Sequence, residues 1–357
     1  MKTTQIVALA VLLATVSAKA IPTHPKSQLK STPKKTIETT SLHFYNGTCT
    51  AETIRVRKEW RNMSTSEKSA YLQAEQCLFN LPAATTLSGV TSRFSDLQSL
   101  HRDKTNQTID GLYVQDIIHN VGQFLPWHRY YMHAHETLLR TECGYTGPMS
   151  WWDEAQDADA GAFFQSDMWT AEYFGSPTLD ESACVIDGAF ANTTEHIGPL
   201  LENTDYCFYR AFDLTQVQYC TSEKVAECTQ YNDYYSFFNC MVIYPTSPHV
   251  AGHAAVGGMM ADIDCSAGDP AFFIHHNYID RMWWQWQQAN ATSRMFDISG
   301  NSLNETYLAE QGDVAPAADW PQMTLEYTLT TADILPDVQI YDVVNIQGGY
   351  LCYEYDY

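Results

Sequence analysis

The spacing of apolar residues along the chain predicts a mainly helical protein. Three apolar residues fall at helical spacing after Ser92, as they would on one face of a helix. Residues 64–67, Ser-Thr-Ser-Glu, form a capping box that opens another helix, which continues through Leu78. Pro126 can open a third helix, and this helix ends near Cys143.

Two later segments share a start signal in which a capping residue precedes proline. Ser247-Pro248 begins a short helix, and the glycine pair at 257–258 closes it. Asp269-Pro270 begins a long aromatic helix that continues towards Asn290. Both helices carry histidines, so both are candidates for a functional site.

Strand-like composition occurs in the C-terminal part, over residues 324–330 and 338–344. The predicted fold class is therefore mainly α, with a few short peripheral strands. We find no repeat at solenoid spacing and no low-complexity tract after Cys49. We therefore predict one domain over residues 49–357.

The first 48 residues have a different character from the rest of the chain. Lys2, an apolar stretch from Ile6 to Val16 and small residues just after it are typical of a signal peptide, here 1–20, rather than of a buried helix. Residues 21–48 are rich in Lys and Pro and predict a flexible basic leader, with a dibasic cleavage option after Lys35. Later apolar segments are too short to cross a membrane.

The charge balance excludes several partners. The chain has 357 residues, with 20 Lys+Arg against 42 Asp+Glu and a formal net charge of -22. Such a polyanion is repelled by nucleic acid and by anionic lipid, so we expect neither as a partner. Only 17% of residues are charged and 13% are aromatic, which argues against an acidic disordered protein.

Cysteines and sequons fit an exported glycoprotein. The ten cysteines are an even number without CxxC pairs, so disulfides are favoured over soft metal sites. Asn-x-Ser/Thr sequons indicate a glycosylated surface. They begin at Asn46, Asn62, Asn106, Asn192, Asn290 and Asn304.

Candidate chemistry begins with His249 and His253, which are four residues apart on one predicted helix. Their imidazoles leave the same helix face about 6 Å apart, as two ligands of one metal ion require. Because Val250 follows the first histidine, this is not the HExxH motif of a zinc protease. By itself an HxxxH pair arises more often by chance than for metal binding.

Five further histidines occupy helices or helix starts. His275 and His276 are adjacent in the aromatic helix, where burial is costly unless their ring nitrogens find partners. His119 precedes a helix, His128 lies in its first turn, and His101 lies on the preceding helix. Two groups of three imidazoles favour a borderline metal such as copper or zinc. A zinc enzyme would usually bring a carboxylate base beside its ligands.

Two long motifs resemble the signatures of a known family. Residues 119–136 have the pattern His-x4-Phe-Leu-Pro-Trp-His-Arg-x2-Met-x3-Glu, and residues 269–280 have the pattern Asp-Pro-x-Phe-Phe-x2-His-x3-Asp. Both resemble the copper signatures of the tyrosinase, catechol oxidase and hemocyanin group, whose members hold paired type-3 copper ions. The resemblance extends from about Cys49 to Tyr355 and is strongest to short, secreted fungal-type members.

The resemblance implies three imidazole ligands for each of two copper ions. These are His101, His119 and His128 for one ion, and His249, His253 and His276 for the other. His133 and His135 share the helix of His128, but His135 lies nearly two turns, about 10 Å, along it. We therefore interpret both as structural.

Two side chains near the second motif have other expected roles. His275 points about 100° away from His276 on the helix, so we expect it to lie behind the ligands rather than to bind the ion. Asp280 has two interpretations. It accepts a hydrogen bond from His276, or it pairs with Arg281 or another arginine.

The resemblance also implies a fold and a reaction. The fold is an antiparallel four-helix bundle that points six imidazoles inward from two helix pairs. The reaction is the oxidation of o-diphenols to o-quinones while O2 is reduced to water. Ile263 falls where the family places a gate over the copper pocket, and Phe273 and Val250 are candidates for substrate contact. Without the resemblance, all three would be ordinary packing residues.

Two departures from the family pattern change the expectations. Many relatives join a cysteine to the second histidine of the first site through a thioether, but Ile117 stands at that position, so we predict no thioether. Longer members carry a C-terminal plug domain, whereas residues 353–357 resemble the tyrosine motif that closes the core, so we expect no plug. The resemblance further suggests a disulfide between Cys49 and Cys77.

We expect oxidation of catechols far in excess of hydroxylation of monophenols. In tyrosinases the residue after the first histidine of the second site is often Asn, which with an upstream Glu holds a water that deprotonates the phenol. Val250 and Cys240 occupy these positions and cannot orient that water. Asp262 or Asp264 on the following loop is an alternative base.

Other functions of the same centre stay open. A hemocyanin-like oxygen carrier would use the same six imidazoles without turnover, but a short chain with an export signal favours the enzyme. A tyrosinase or an o-aminophenol oxidase would differ only in substrate preference. The expected partners are O2 and a small phenol.

Overall fold

Side-chain caps fix where the first helices begin. Ser64 and Glu67 form the expected capping box at the start of α1, Thr65–Asn80. Ser92 caps α2, Arg93–Thr105, and accepts the backbone N–H of Ser95. Both helices predicted from local sequence are therefore confirmed.

The computed structural model describes residues 49–109, 112–180, 183–303 and 322–357. The predicted signal peptide, the basic leader and the sequons at Asn46 and Asn304 lie outside the described residues. Within the described ranges, no helix is long and apolar enough to cross a membrane. The four other sequon asparagines are exposed: Asn62, Asn106, Asn192 and Asn290.

Three helices carry most of the candidate histidines. The first, α3, is Phe124–Glu142 and begins two residues before Pro126. The second, α7, is Pro248–Val256, with Ser247 as its cap as predicted. The third, α8, is Ala271–Ala289. Its backbone N–H at Ala271 donates to the Asp269 carboxylate, and this carboxylate also pairs with Arg210.

Shorter elements complete the fold. The other helices are α4 (Glu154–Asp159), α5 (Ser222–Thr229), α6 (Tyr234–Phe238), α9 (Ala291–Arg294) and α10 (Ile340–Val343). The strands are β1 (Arg55–Glu59), β2 (Gln107–Ile109), β3 (Leu112–Gln115), β4 (Ser150–Trp151), β5 (Thr194–Glu195), β6 (Tyr206–Cys207), β7 (Thr328–Leu329), β8 (Val338–Gln339) and β9 (Tyr353–Tyr355). The mainly helical fold class is confirmed, and the antiparallel four-helix bundle stays a prediction.

The described sheets are small. Strand β1 lies between β4 and β9 and runs parallel to both, whereas the other strands form antiparallel pairs. The predicted strand over 338–344 is wrong beyond Gln339. Gln339 and Asp342 form a capping box there, so the chain turns into α10.

A buried ion pair joins α3 to α8. Arg129 Nε lies 2.5 Å from Asp280 Oδ1, and the guanidinium stacks on the ring of Trp283. Asp280 Oδ2 accepts the hydroxyls of Tyr353 at 2.6 Å and Tyr355 at 2.5 Å. Arg57 Nη1 also lies 3.6 Å from Asp280 Oδ2. The cost of burying this carboxylate is therefore offset by two guanidinium groups and by two hydroxyl donors, which also tie β9 to α8.

Four disulfides form, but the predicted bond between Cys49 and Cys77 is wrong. The pairs are Cys49–Cys352, Cys77–Cys143, Cys184–Cys207 and Cys228–Cys240. Cys77 lies in the last turn of α1 and meets Cys143 at the end of α3, whereas Cys49 is bonded to Cys352 beside the start of β9. Cys220 and Cys265 are buried thiols.

Candidate metal centre

Three buried histidines from three segments form the first cluster. His101 lies on α2, His119 on the loop before α3, and His128 in the first turns of α3. The ring centroids are 4.9 Å apart for His101 and His119, 5.7 Å for His101 and His128, and 5.3 Å for His119 and His128. One ring nitrogen from each lies within 4.8 Å of the others. The structure thus brings together all three residues proposed for the first ion.

Backbone and carboxylate acceptors orient two of these rings. His128 Nδ1 lies 2.9 Å from the Phe124 carbonyl oxygen, which can only accept. His119 Nδ1 lies 2.9 Å from Asp116 Oδ2. Among the described residues, His128 Nε2 and both nitrogens of His101 have no hydrogen-bond partner although they are buried. Such nitrogens are costly to bury without a partner, and a bound metal ion would use one lone pair of each ring.

The second cluster contains four histidines from two helices. His249 and His253 come from α7, and His275 and His276 come from α8, with nitrogens within 4.8 Å of one another. His249 Nδ1 lies 3.2 Å from the carbonyl oxygen of Val242, and His253 Nδ1 lies 2.8 Å from that of Met260. In these tautomers the Nε2 atoms of both rings carry the lone pairs that can bind a cation.

The spacing inside the second cluster fits a shared ion. Nε2 of His253 lies 3.2 Å from Nε2 of His276. Two nitrogens that each bind one ion at about 2.0 Å lie about 3.3 Å apart when the coordination is tetrahedral. Since both donors are imidazoles, the set matches the borderline metals that favour nitrogen.

A π-helical turn supports His249. Residues Asn239–Ile243 form this turn directly after α6, and the carbonyl of Val242 within it faces His249 Nδ1. Cys240 in the turn is bonded to Cys228 on α5, which anchors the turn from outside. Single π-helical turns often occur at functional sites because they redirect backbone groups.

The two clusters face each other across the protein interior. The rings of His128 and His276 stack with centroids 4.4 Å apart and planes 10° from parallel. Phe124 stands four residues before His128, and its ring also contacts His249 at 4.7 Å. Phe272 stands four residues before His276 and contacts His101 at 5.1 Å. Each phenylalanine therefore packs against both clusters and keeps the space between them apolar.

Burial favours the neutral form of five imidazoles in the two clusters. Burial lowers their pKa well below 6.5, and neighbouring imidazoles lower it further. These five are His101, His128, His249, His253 and His276. Neutral imidazole is the form that binds metal, so the clusters are prepared for cations at neutral pH.

His275 differs from its neighbours in the partner of its Nδ1. That atom lies 2.5 Å from Oε1 of Glu154, the first residue of α4. Burial raises the pKa of Glu154 well above its ordinary value, helped by Asp153 and Asp157. A protonated carboxyl donates to Nδ1, which leaves the ring proton on Nε2 and no lone pair for an ion.

Several predicted neighbours lie elsewhere. Asp280 pairs with Arg129, so the interpretation in which it accepts from His276 is wrong. Phe273 stacks on the ring of His135 at 3.8 Å, and its contact with substrate stays a prediction. His135 also lies 2.8 Å from Glu75, and this agrees with its structural interpretation.

Sequence reasoning missed Asp116, Glu154 and Phe272. Asp116 had a local signal, because it stands three residues before His119. Phe272 also had a local signal, because it stands four residues before His276, just as Phe124 stands four residues before His128. Glu154 had none, since it is 121 residues from His275.

Comparison with known proteins decides the family. A model of the common central domain of tyrosinase matches residues 91–289, more than half of the chain. The chain belongs to the tyrosinase family. This family uses a type-3 pair of copper ions, O2 and phenolic substrates, and the two histidine clusters are compatible with it. The protein is therefore a copper-dependent oxidase.

Individual relatives of this tyrosinase-family chain are fungal. It is 29% identical over 342 residues to tyrosinase ustQ of Aspergillus flavus, covering 90% of this chain and 86% of the relative. It is 28% identical over 372 residues to N-acetyl-6-hydroxytryptophan oxidase ivoB of Emericella nidulans, covering 86% and 94%. The structure of a mutant polyphenol oxidase from Thermothelomyces thermophila has the same fold, with a TM-score of 0.72, 24% identity and coverage of 87% and 90%.

Proposed function

We propose that the protein oxidises o-diphenols to o-quinones at two copper ions, each held by three imidazoles. The two facing, all-imidazole clusters carry this proposal. The ligands would be His101, His119 and His128 for one ion, and His249, His253 and His276 for the other. Copper at these positions would supply the electron exchange with O2, so that two catechols and one O2 give two o-quinones and two waters.

The protein contributes to the reaction by orienting the imidazoles and by excluding water. Carbonyl acceptors at Phe124, Val242 and Met260 hold three of the rings with Nε2 facing inward. The rings of Phe124 and Phe272 leave little room for solvent between the clusters. The neutral tautomers therefore need no rearrangement before they bind metal.

We assign His275 to a place behind the ligands rather than among them. Its Nδ1 faces a carboxyl that donates a proton, whereas His249 and His253 face carbonyls that cannot. His249 and His253 therefore present a lone pair at Nε2, whereas His275 does not.

The pocket around the second cluster favours catechols over monophenols. Val250 follows His249 and has no polar atom, and Cys240 is bonded to Cys228. Asp262 and Asp264, the alternative bases, form hydrogen bonds with other groups. Asp262 accepts the backbone N–H of Leu200, and Asp264 accepts the hydroxyl of Thr105 at 2.6 Å. Without a positioned base, a phenol of pKa about 10 stays protonated at neutral pH.

Two further roles belong to this proposal. Ile263 is 47% exposed on the loop after Met260, whose carbonyl holds His253, and this position suits a gate over the second ion. Val250 is half-buried on the same helix as His249 and suits contact with the substrate ring.

We also propose that the protein is secreted and glycosylated. Four disulfides favour an oxidising compartment, and four of the predicted sequons are exposed. A signal peptide over 1–20 and a leader over 21–48 would precede the catalytic domain over 49–357.

Copper analysis tests the metal assignment. We expect two copper ions per purified chain, and His128→Ala or His276→Ala should lose the ion of its own cluster and all oxidase activity. His133→Ala is the matched control, because it changes a histidine on α3 outside both clusters. Zinc in the purified protein, or full activity in either cluster variant, would reject the assignment.

Oxygen uptake tests the reaction. With 4-methylcatechol an oxidase consumes O2 continuously, whereas a carrier binds O2 once and stops. A panel of catechols, o-aminophenols and hydroxyindoles then ranks the substrates. Faster turnover of o-aminophenol than of every catechol would replace the catechol assignment with an aminophenol oxidase.

A further inference from the structure

Gly252 lies between His249 and His253 on α7 and faces the pair formed by His275 and Glu154. A Cβ atom at this position would lie 2.5 Å from His275 Cε1 and 2.6 Å from Glu154 Oε2. Both distances are shorter than real Cβ contacts, which essentially never fall below 3.0 Å. The close approach of the pair to α7 therefore requires glycine.

The helix itself gives no reason for glycine at this position. Gly252 lies in the interior of α7, Pro248–Val256, where glycine costs about 1 kcal/mol relative to alanine. In a helix of nine residues this cost is appreciable. The close contact with His275 and Glu154 is the feature that offsets it.

His275 touches every imidazole proposed for the second ion. Its ring centroid lies 4.5 Å from that of His253, 5.6 Å from His249 and 5.1 Å from His276. It therefore fills the space behind all three rings. A change in the orientation of His275 would shift the packing of both α7 and α8.

Glu154 fixes that orientation from a third helix. Its side chain is fully buried, and Oε1 holds His275 Nδ1 at 2.5 Å. Within the described residues, Oε2 has no hydrogen-bond partner and faces Gly252 instead. The Glu154 carboxyl thus lies between α7 and the imidazole of His275, which belongs to α8.

We propose that Glu154, His275 and Gly252 form a brace that sets the spacing between α7 and α8 and thereby positions the three imidazoles of the second copper site. The brace rests on the copper ligands proposed above. None of its members binds the ion, so all three are positioning residues. The first cluster has a different support, the carboxylate of Asp116, so disturbing the brace affects one site only.

Substitutions in the brace should remove one copper ion and leave the other. We expect about one copper per chain in Glu154→Ala and Gly252→Ala, and about two in the wild type. Glu154→Gln keeps the size of the side chain and supplies an amide N–H that donates to His275 Nδ1, so it should also hold two. Asp159→Ala, at the exposed end of α4, is the control and should also hold two.

Double variants and spectroscopy identify the site that is lost. Glu154→Ala combined with His128→Ala should hold no copper, whereas Glu154→Ala with His276→Ala should keep one. The lone cupric ion should give an EPR signal near one spin per chain, because it lacks a coupled neighbour. These readouts do not depend on turnover.

Three results would count against these assignments, and they are distinguishable. Two tightly held copper ions in both Glu154→Ala and Gly252→Ala would overturn the brace alone. Equal copper loss from both sites, with a lower melting temperature of the metal-free variants, would show a general folding role and also overturn it. A wild-type protein that binds no copper would instead remove the proposed function itself.

Discussion

The carboxylate of Asp116 holds His119 at two points. Its Oδ2 lies 2.9 Å from His119 Nδ1, and its Oδ1 accepts the backbone N–H of the same residue at 2.8 Å. Oδ1 also accepts the N–H of Ile118. Because His119 lies on a loop and not on a helix, this carboxylate takes over the positioning that a helix gives to His101 and His128.

Loss of the Asp116 charge should weaken the first copper site. A carboxylate behind a metal-bound histidine fixes its tautomer and raises its basicity, and its removal typically lowers metal affinity about 10–100-fold. Asp116→Asn should therefore release one copper ion at a lower chelator concentration than the wild type, measured by EDTA competition. Asp103→Asn on α2 is a control that leaves both clusters intact. Equal chelator resistance of the two variants would contradict this role.

A polar side chain at position 250 should increase monophenol hydroxylation. Val250→Asn adds an amide one residue after His249, where it can hold a water near an incoming phenol. We expect the ratio of initial rates on tyramine and dopamine to increase several-fold. Val250→Leu, which adds volume without polarity, is the control. If the wild type already shows comparable rates on both substrates without a lag, another base is present and the catechol preference is wrong.

Glu195 should make stability fall with increasing pH. The side chain is buried near Asp269 and Gln98, and burial together with the Asp269 carboxylate raises its pKa to about 8, against the opposing effect of a hydrogen bond with Gln98. The folded state therefore binds a proton that the unfolded state releases near pH 4.5. Its stabilising contribution is complete below about pH 4.5 and is lost as pH rises through about 8.

Glu195→Gln should remove this pH dependence, because the amide resembles the neutral carboxyl. The free energy of unfolding of the variant should exceed that of the wild type increasingly between about pH 5 and 8.5, by on the order of a few kcal/mol. Urea denaturation across this range measures it. Glu202→Gln at an exposed position is the control. A difference that stays constant with pH would show that Glu195 is ionised in the folded protein.

Asp280 should be essential to the stable packing of α3 against α8. Asp280→Ala leaves Arg129 buried without its anion, and breaking such a pair typically costs about 3–5 kcal/mol. Tyr353 and Tyr355 would also lose their acceptor. We expect a corresponding decrease in the free energy of unfolding of the metal-free protein. A decrease below about 1 kcal/mol would mean that water replaces the carboxylate.

Local signals predicted five of the described helices, α1, α2, α3, α7 and α8, and pointed to the histidines of the candidate site. Ser64 and Ser247 cap their helices through bonds that span only a few residues, so their effect is visible in the sequence. Helical spacing alone selected His249 and His253, and the family resemblance supplied the other proposed ligands. Phe124 stands four residues before His128, and the same spacing before His276 would also have selected Phe272.

Features that depend on tertiary proximity were not predictable. The partner of Cys77 depends on how α1 and α3 end side by side, and no sequence spacing encodes that contact. Glu154 meets His275 only because the fold brings α4 against α8. Asp280 had two compatible partners until the fold placed Arg129 beside it.

The position of β9 has a consequence for the order of assembly in the cell. β9 pairs with β1, and the nearby disulfide joins residues 303 positions apart in the sequence. Its Tyr353 and Tyr355 supply hydroxyls to Asp280, in the seam between the helices that carry His128 and His276. During synthesis the contacts between α3 and α8 stay incomplete until β9 has left the ribosome. Contacts between residues so far apart in the sequence also form slowly. We therefore expect copper to enter only after β9 has paired with β1.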